Sequence, residues 1–289
     1  ERRGKNRYTE IGNQSFFSRL KALPKRTQVL FYIHGFNNTG EKGIFQNAAV
    51  LQTLFDKEGG KNLVHVVPLI WPCDDDSLLS IIDDYWDDQR AADLSGPAFA
   101  RLLGKFDGWR RSTEQQDSPC YRRINVLSHS MGNRVLRNAF SNWAKFDGQG
   151  QIPQLFRNIF MVAPDVVNHT LEPGEDGQFI PQAARNVVVY FANDDMAMPA
   201  SKVANLKNRT VSRRLGMTGP ENLDALARNV YEVDCDNFNN SFDFPTGHSY
   251  FLKNKKGVVS PVLKHMIKAV EDGRVTPANR SIELSSPKK

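Results

Sequence analysis

The sequence predicts an α/β domain built on a mostly parallel sheet with helices on both faces. Three observations carry that prediction. Short β-rich apolar runs recur along the chain, longer segments of helical character separate them, and most of the runs are continuously apolar. A strand with one wet face alternates in polarity, whereas one that is apolar throughout is covered on both sides. Strands alternating with helices suit a parallel sheet, because parallel neighbours are joined by crossovers long enough to hold a helix.

In chain order, Glu10–Ala22 reads as a helix or an early edge element. The predicted strands are Gln28–Ile33, Leu63–Trp71, Arg123–Leu127, Ile159–Val162, Asn186–Ala192 and Val230–Val233. Asn47–Lys57, Ser77–Leu103, Gly132–Lys145 and Val258–Asp272 have helical character. Residues 167–183 and 201–229 are polar and broken by Gly and Pro, so they read as insertions where functional loops gather. We expect one domain over residues 1–275, then a Pro-, Ser- and Lys-rich, loosely held tail over 276–289.

Composition narrows the class. The chain has 289 residues, 40% apolar and 24% charged, which is ordinary for a globular protein. No window reaches the roughly 18 apolar residues of a membrane span. Cys73, Cys120 and Cys235 are too few and too scattered for a disulfide framework or a zinc site, which fits a reducing, cytoplasmic setting. Residue 1 is Glu, which leaves room for a preceding targeting segment. The net charge of +6 is uneven: residues 1–28 and 253–289 each carry +6, and residues 73–95 carry −7. Solvated faces explain this best. Contact of the basic termini with a membrane surface is the less favoured reading, and no nucleic-acid motif is present.

The chemistry centres on Ser128-His129-Ser130-Met131-Gly132, which follows the apolar run Ile124 to Leu127. It reads as G-x-S-x-G with serine in the first glycine position, a pattern that sets a serine on a sharp strand-to-helix turn. Small residues flank that serine because strand and helix backbones nearly touch there. The plainer reading makes Ser130 a helix N-cap. A nucleophilic serine needs a base and an acid, and in an open parallel sheet these sit after the carboxyl ends of strands. His248, in the Gly- and Ser-rich loop Thr246-Gly247-His248-Ser249, is the candidate base, with His169 as competitor. Asp195 is the candidate acid, with Asp165 and Asp194 as alternatives. The backbone amides of Met131 and Phe36 are the candidate oxyanion donors. His34 reads as bracing the loop after it, and His129 as pointing elsewhere.

Together these residues resemble the α/β-hydrolase superfamily and, more narrowly, the bacterial α/β-hydrolases of unknown function. The resemblance covers about Thr27 to Leu252. It is anchored by His34-Gly35-Phe36-Asn37, Ile70-Trp71-Pro72, Ser128-His129-Ser130-Met131-Gly132, Asn193-Asp194-Asp195 and Gly247-His248-Ser249-Tyr250. It implies the α/β-hydrolase fold with an eight-stranded, mostly parallel sheet. It also implies a Ser-His-Asp triad that needs neither metal nor organic cofactor, but it supplies no substrate; a small-molecule acyl substrate is what the triad itself leads us to expect. The expected activity is ester hydrolysis, with thioester or amide as variants. Lipase or phospholipase action and a non-catalytic binding role are the alternatives. Residues 72–97, with Tyr85 and Trp86 as candidate substrate-lining groups, read equally as a lid over the site or as a flanking helix.

Overall fold

Parallel strands organise the molecule. The structure, a computed structural model, describes residues 2–36, 38–73, 81–146, 150–197 and 213–286. A small antiparallel hairpin, β1 (Arg2–Gly4) and β2 (Arg7–Tyr8), precedes helix α1 (Gly12–Ala22). The main sheet contains β3 (Gln28–Ile33), β4 (Val64–Leu69), β5 (Ile124–His129) and β6 (Phe156–Val162), then β7 (Ala184–Phe191), β8 (Val230–Asp234) and β9 (Ser281–Glu283). Their order is β4-β3-β5-β6-β7-β8-β9, and every pairing is parallel.

The continuous apolar runs split between two layers as the pleat requires. Leu30, Tyr32, Leu127, Phe160, Val188 and Tyr190 join one buried cluster. Phe31, Ile33, Val126, Ile159, Val187 and Val189 join the other. Helices α2 (Phe45–Glu58) and α9 (Pro261–Asp272) cover the first layer, supplying Leu51, Phe55, Leu263 and Met266. Helices α1, α3 (Ile81–Arg110) and α5 (Gly132–Phe146) cover the second, with Phe17, Phe106, Val135, Phe140 and Trp143. The short helix α4 (Thr113–Asp117) follows α3 in the chain. Further short helices are α6 (Ile180–Ala183), α7 (Leu215–Thr218) and α8 (Asn239–Phe242).

A chain of buried amides crosses this apolar sheet near its amino-terminal end. Asn125 on β5 donates to Gln28 Oε1 at 3.2 Å, Asn158 on β6 to Asn125 Oδ1 at 2.7 Å, and Asn186 on β7 to Asn158 Oδ1 at 2.8 Å. The register sets Asn125, Asn158 and Asn186 opposite one another, so one polar row serves neighbouring strands.

Two expectations are corrected. Among the described residues the main sheet has seven strands, not eight. The segment from residue 276 is also not a free tail: Ser281–Glu283 pairs with β8, and Arg280 reaches back to the carbonyls of Val230, Leu223 and Leu226. Only Ile282 of β9 is buried, so three residues with one inward side chain leave no periodic pattern to read. Of the lid candidate, residues 74–80 lie outside the described residues, and from Ile81 it forms the first turns of α3, packed on α5. Part of the insertion at 201–229 (residues 201–212) and Asn37 also lie outside them. Among the described residues no helix is long and apolar enough to cross a membrane.

Candidate active site

The turn after β5 is built by close backbone approach. Ser130 has φ +52°, a left-handed conformation that is strained for a side chain with a Cβ. Its amide donates to Val162 O at 2.9 Å, and its carbonyl accepts from Asn133 N and Asp165 N at 3.1 and 3.2 Å. The Asn133 side chain adds bonds to Ser128 O and Ser130 O at 3.0 and 3.1 Å. Gly132 cannot carry a side chain, because its Cβ would stand 2.5 Å from His34 O and 2.9 Å from Ile33 O. Ser128 is fully buried. Serine in that slot therefore fits the crowding that the pattern requires.

The loop after β3 passes directly against this turn. A Cβ on Gly35 would lie 2.9 Å from Ser130 Cβ and 3.0 Å from His129 Nδ1. His34 holds the loop: Trp71 N–H donates to its Nε2 at 3.3 Å and Trp71 Nε1 to its carbonyl at 2.9 Å. The two rings stack 5.0 Å apart, nearly parallel. Nε2 being an acceptor leaves the proton on Nδ1, which faces Gly35 O at 2.9 Å. Burial pushes the His34 imidazole down to about 4, partly offset by these backbone bonds. Asn38 Nδ2 ties down the carbonyls of Phe36 and Gly35 at 2.7 and 3.3 Å. Among the described residues the amides of Phe36 and Met131 donate no hydrogen bond.

His248 and Asp195 meet as a pair. His248 Nδ1 lies 2.6 Å from Asp195 Oδ2, with the carboxylate wholly buried and 14% of the His248 side chain exposed. Asp195 Oδ1 accepts from Ala197 N at 3.0 Å, which fixes the carboxylate plane. Burial pushes the His248 imidazole down, but the Asp195 charge and hydrogen bond outweigh it, helped by Asp165 and Asp243, so the net shift is upward. No hydrogen bond joins Ser130 Oγ to His248 among the described residues; such contacts are often loose without substrate.

The alternative acids and base have other partners. Asp194 accepts from Asn239 Nδ2 at 2.5 Å and from Asn240 Nδ2. Asp165 accepts from Tyr85 OH at 2.5 Å and pairs with Arg214 Nε at 3.4 Å, although its amide touches the Ser130 carbonyl. His169 faces Glu221 and Glu175 at 3.6 and 3.9 Å. Tyr85 reaches the site, with its ring set edge-on to Phe36 at 5.8 Å and its hydroxyl taking a bond from Gln89 at 2.8 Å. Trp86 packs against the core layer instead.

Two supporting residues escaped the sequence reading. His129 does not point away: its ring lies 4.8 Å from that of His248 and 4.9 Å from Phe251, and its Nε2 is 3.4 Å from His248 O. Burial first, and then the His248 charge, push it down to about 3, so it is a neutral ring packed against that of His248. Asp243 Oδ2 accepts from His248 N, Ser249 N and Thr246 Oγ1 at 3.0, 2.7 and 2.7 Å, which folds the loop that carries His248. Burial raises its carboxyl, but those bonds and the His248 charge outweigh that and leave it lowered. The sequence hint for Asp243 was an Asp five residues before His248 in a Thr-Gly turn, which suits an Asx-type cap.

A parallel sheet with helices on both faces, a serine on a left-handed strand-to-helix turn and a histidine–carboxylate pair beyond later strands define an α/β hydrolase. Residues 11–267 match the family described as alpha/beta hydrolase of unknown function (DUF900), and the chain belongs to that family. No curated protein and no solved structure matches it.

Proposed function

We propose that this hydrolase is a serine esterase that forms an acyl-enzyme on Ser130. The observation that carries the reading is the left-handed turn at Ser130 beside the 2.6 Å pair of His248 and Asp195. His129 links the two, because it is the residue before Ser130 and lies against both the ring and the carbonyl of His248. In this mechanism Ser130 Oγ attacks the ester carbonyl while His248 Nε2 takes its proton. Asp195 keeps the other imidazole proton on Nδ1 and stabilises the imidazolium. The carbonyl electrons move onto oxygen, where the unpaired Phe36 and Met131 amides receive the charge; one such donor is worth about 100- to 1,000-fold in rate. Return of that electron pair expels the alcohol, which takes the proton from His248. Water, activated by the same base, then releases the acid. Thioesters and amides follow the same steps, and an alkoxide leaves more readily than an amide anion.

A fluorophosphonate probe with a panel of acyl esters tests this. Wild type should be labelled and should turn over esters, and Ser130→Ala should do neither. Absence of labelling in wild type, or equal labelling of Ser130→Ala, sinks the proposal and favours a non-catalytic binding role.

A further inference from the structure

Charge at the opposite end of the sheet is arranged as regularly as the site. Asn158 pairs with Asn186, so Arg157 and Arg185, one residue earlier on each strand, stand level on β6 and β7. Val187 pairs with Val230, and Arg185 and Arg228 each precede that pair by two residues. Asn125 pairs with Asn158, which sets Arg123 one step below Arg157. Arg157 and Arg185 lie on β6 and β7, Arg123 immediately precedes β5 and Arg228 lies in the turn before β8, so four neighbouring strands have one arginine each at or just before their amino ends, a row about 14 Å long at ~4.8 Å per strand. Arg123, Arg185 and Arg228 are exposed, and Arg157 lies over Gly273, where a Cβ would collide with its guanidinium. None of the four is ion-paired among the described residues. Arg157 is lowered by burial and then by the charges of Arg123 and Arg185.

The row continues into grooves. One of about 710 Å³ is lined by Lys21, Lys25, Arg26, Arg122, Arg123 and the carboxylate Glu271; Lys21 also pairs with Glu114 at 3.4 Å, and the Arg122 guanidinium is held by the carbonyls of Lys21, Leu23, Pro24 and Thr27. Another of about 830 Å³ is lined by Arg101, Lys105, Arg110 and Arg111 against Asp107, which Arg111 already pairs. A smaller cavity bordered by Arg110, Tyr121 and Arg122 lies between them. Tyr121 projects from this face with 86% of its surface exposed.

We infer that this amino-end face is a docking surface for an anionic phospholipid membrane. A broad field of guanidinium and ammonium groups, in which Lys21 and Arg111 have carboxylate partners and Arg123, Arg157, Arg185 and Arg228 have none among the described residues, matches a plane of phosphate and carboxylate head groups, and a projecting tyrosine suits the head-group level. Single-stranded nucleic acid is the poorer fit, since binding it takes a series of aromatic platforms and Tyr121 stands alone as a strongly exposed aromatic in these grooves. Ser130 and His248 sit beyond the carboxyl ends of the same strands, ~20 Å away at 3.3 Å per residue. A docked molecule thus presents its site to the water, not to the bilayer.

Cosedimentation with vesicles tests the surface independently of the catalytic reading. Wild type should bind phosphatidylcholine vesicles containing phosphatidylserine at about one lipid in three, release at high salt, and ignore phosphatidylcholine alone. The triple reversal Arg123→Glu, Arg185→Glu, Arg228→Glu should weaken binding at least 100-fold while keeping its circular dichroism and its fluorophosphonate labelling. Lys255→Glu with Lys256→Glu, on the loop before α9 and so at the end of that helix away from Gly273, should leave binding within about threefold. The inference is overturned if wild type does not bind anionic vesicles at low salt or if both variants lose binding equally. It is also overturned if single-stranded oligonucleotide is bound in preference to vesicles.

Discussion

Asp195 shows how much rests on single atoms at this site. Its Oδ2 decides which imidazole nitrogen of His248 carries the proton, and its charge holds His248 in the charged form to higher pH than a free imidazole. The base must be neutral to accept the Ser130 proton, so kcat/KM should fall as pH drops through a limb that lies above the ordinary histidine value of about 6.5. Asp195→Asn should move that limb down and lower kcat by about 10³- to 10⁴-fold. An unchanged limb in pH–rate profiles of the two proteins would assign the orienting role elsewhere, with Asp165 as the first candidate. His129→Gln keeps a polar group under the base but removes the ring contact; we expect kcat to fall more than tenfold with KM nearly unchanged, measured on the best ester of the panel. The strand-to-helix turn at Ser130 was readable from the small residues around it, whereas that Asp195 and not Asp194 faces His248 is seen only in the fold. The roles of Asn133, Asp243 and His129 were not readable either, because each depends on which backbone groups a fold brings within 3 Å or so.

Among the elements, the amide row crossing β5, β6 and β7 carries the clearest stability prediction. Asn158 both donates to Asn125 and accepts from Asn186, so removing it strands the buried Asn125 Oδ1 and leaves the Asn186 amide only its long bonds to Arg157 O and Gly273 O at 3.5 and 3.4 Å. An unsatisfied buried group costs about 1–3 kcal/mol. Asn158→Leu should therefore lower unfolding free energy by about 3 kcal/mol in urea titration, with fluorophosphonate labelling at Ser130 retained below the transition. Stability equal to wild type would show that the row is dispensable. The strands holding these asparagines were legible from their valines and isoleucines, yet their pairing partners were not. Register across strands is a property of the folded sheet, and so are the amide row and the arginine row beneath it. Helix α3 illustrates the same limit, for its sequence suits a lid and a flanking helix alike. What sets its place is packing that needs Gly96, where a Cβ would meet Asn138 Cβ at 2.8 Å, and the Arg134 fork onto Asp93 at 2.7 and 2.6 Å.

The whole molecule should be sensitive to acid through its buried neutral histidines. His34 is held at about 4 and His129 at about 3, against about 6.5 in the unfolded chain. Between those values the unfolded state binds more protons, so stability is full above about pH 6.5 and is lost as pH falls below it. Each histidine should cost about 2 kcal/mol between about pH 6.5 and 5, at 1.36 kcal/mol per pH unit. The denaturation midpoint should drop over that window in wild type and drop less in His129→Gln. A flat profile would mean that water reaches these rings. The fold class was legible at this scale because strand and helix alternate along most of the chain. The seventh strand was not, because β9 is short and polar on both sides of Ile282.

That short strand and its counterpart at the other margin have a consequence for self-association. An open sheet offers its outermost backbone to any extended chain, and long flat borders invite aggregation or strand exchange. Here one border is β4, where Pro68 lacks an amide to donate, and the other is the three-residue β9. Neither margin offers a run of pairing groups long enough to template a second copy. The two borders of this sheet, as described, therefore disfavour its extension by a strand from a second copy.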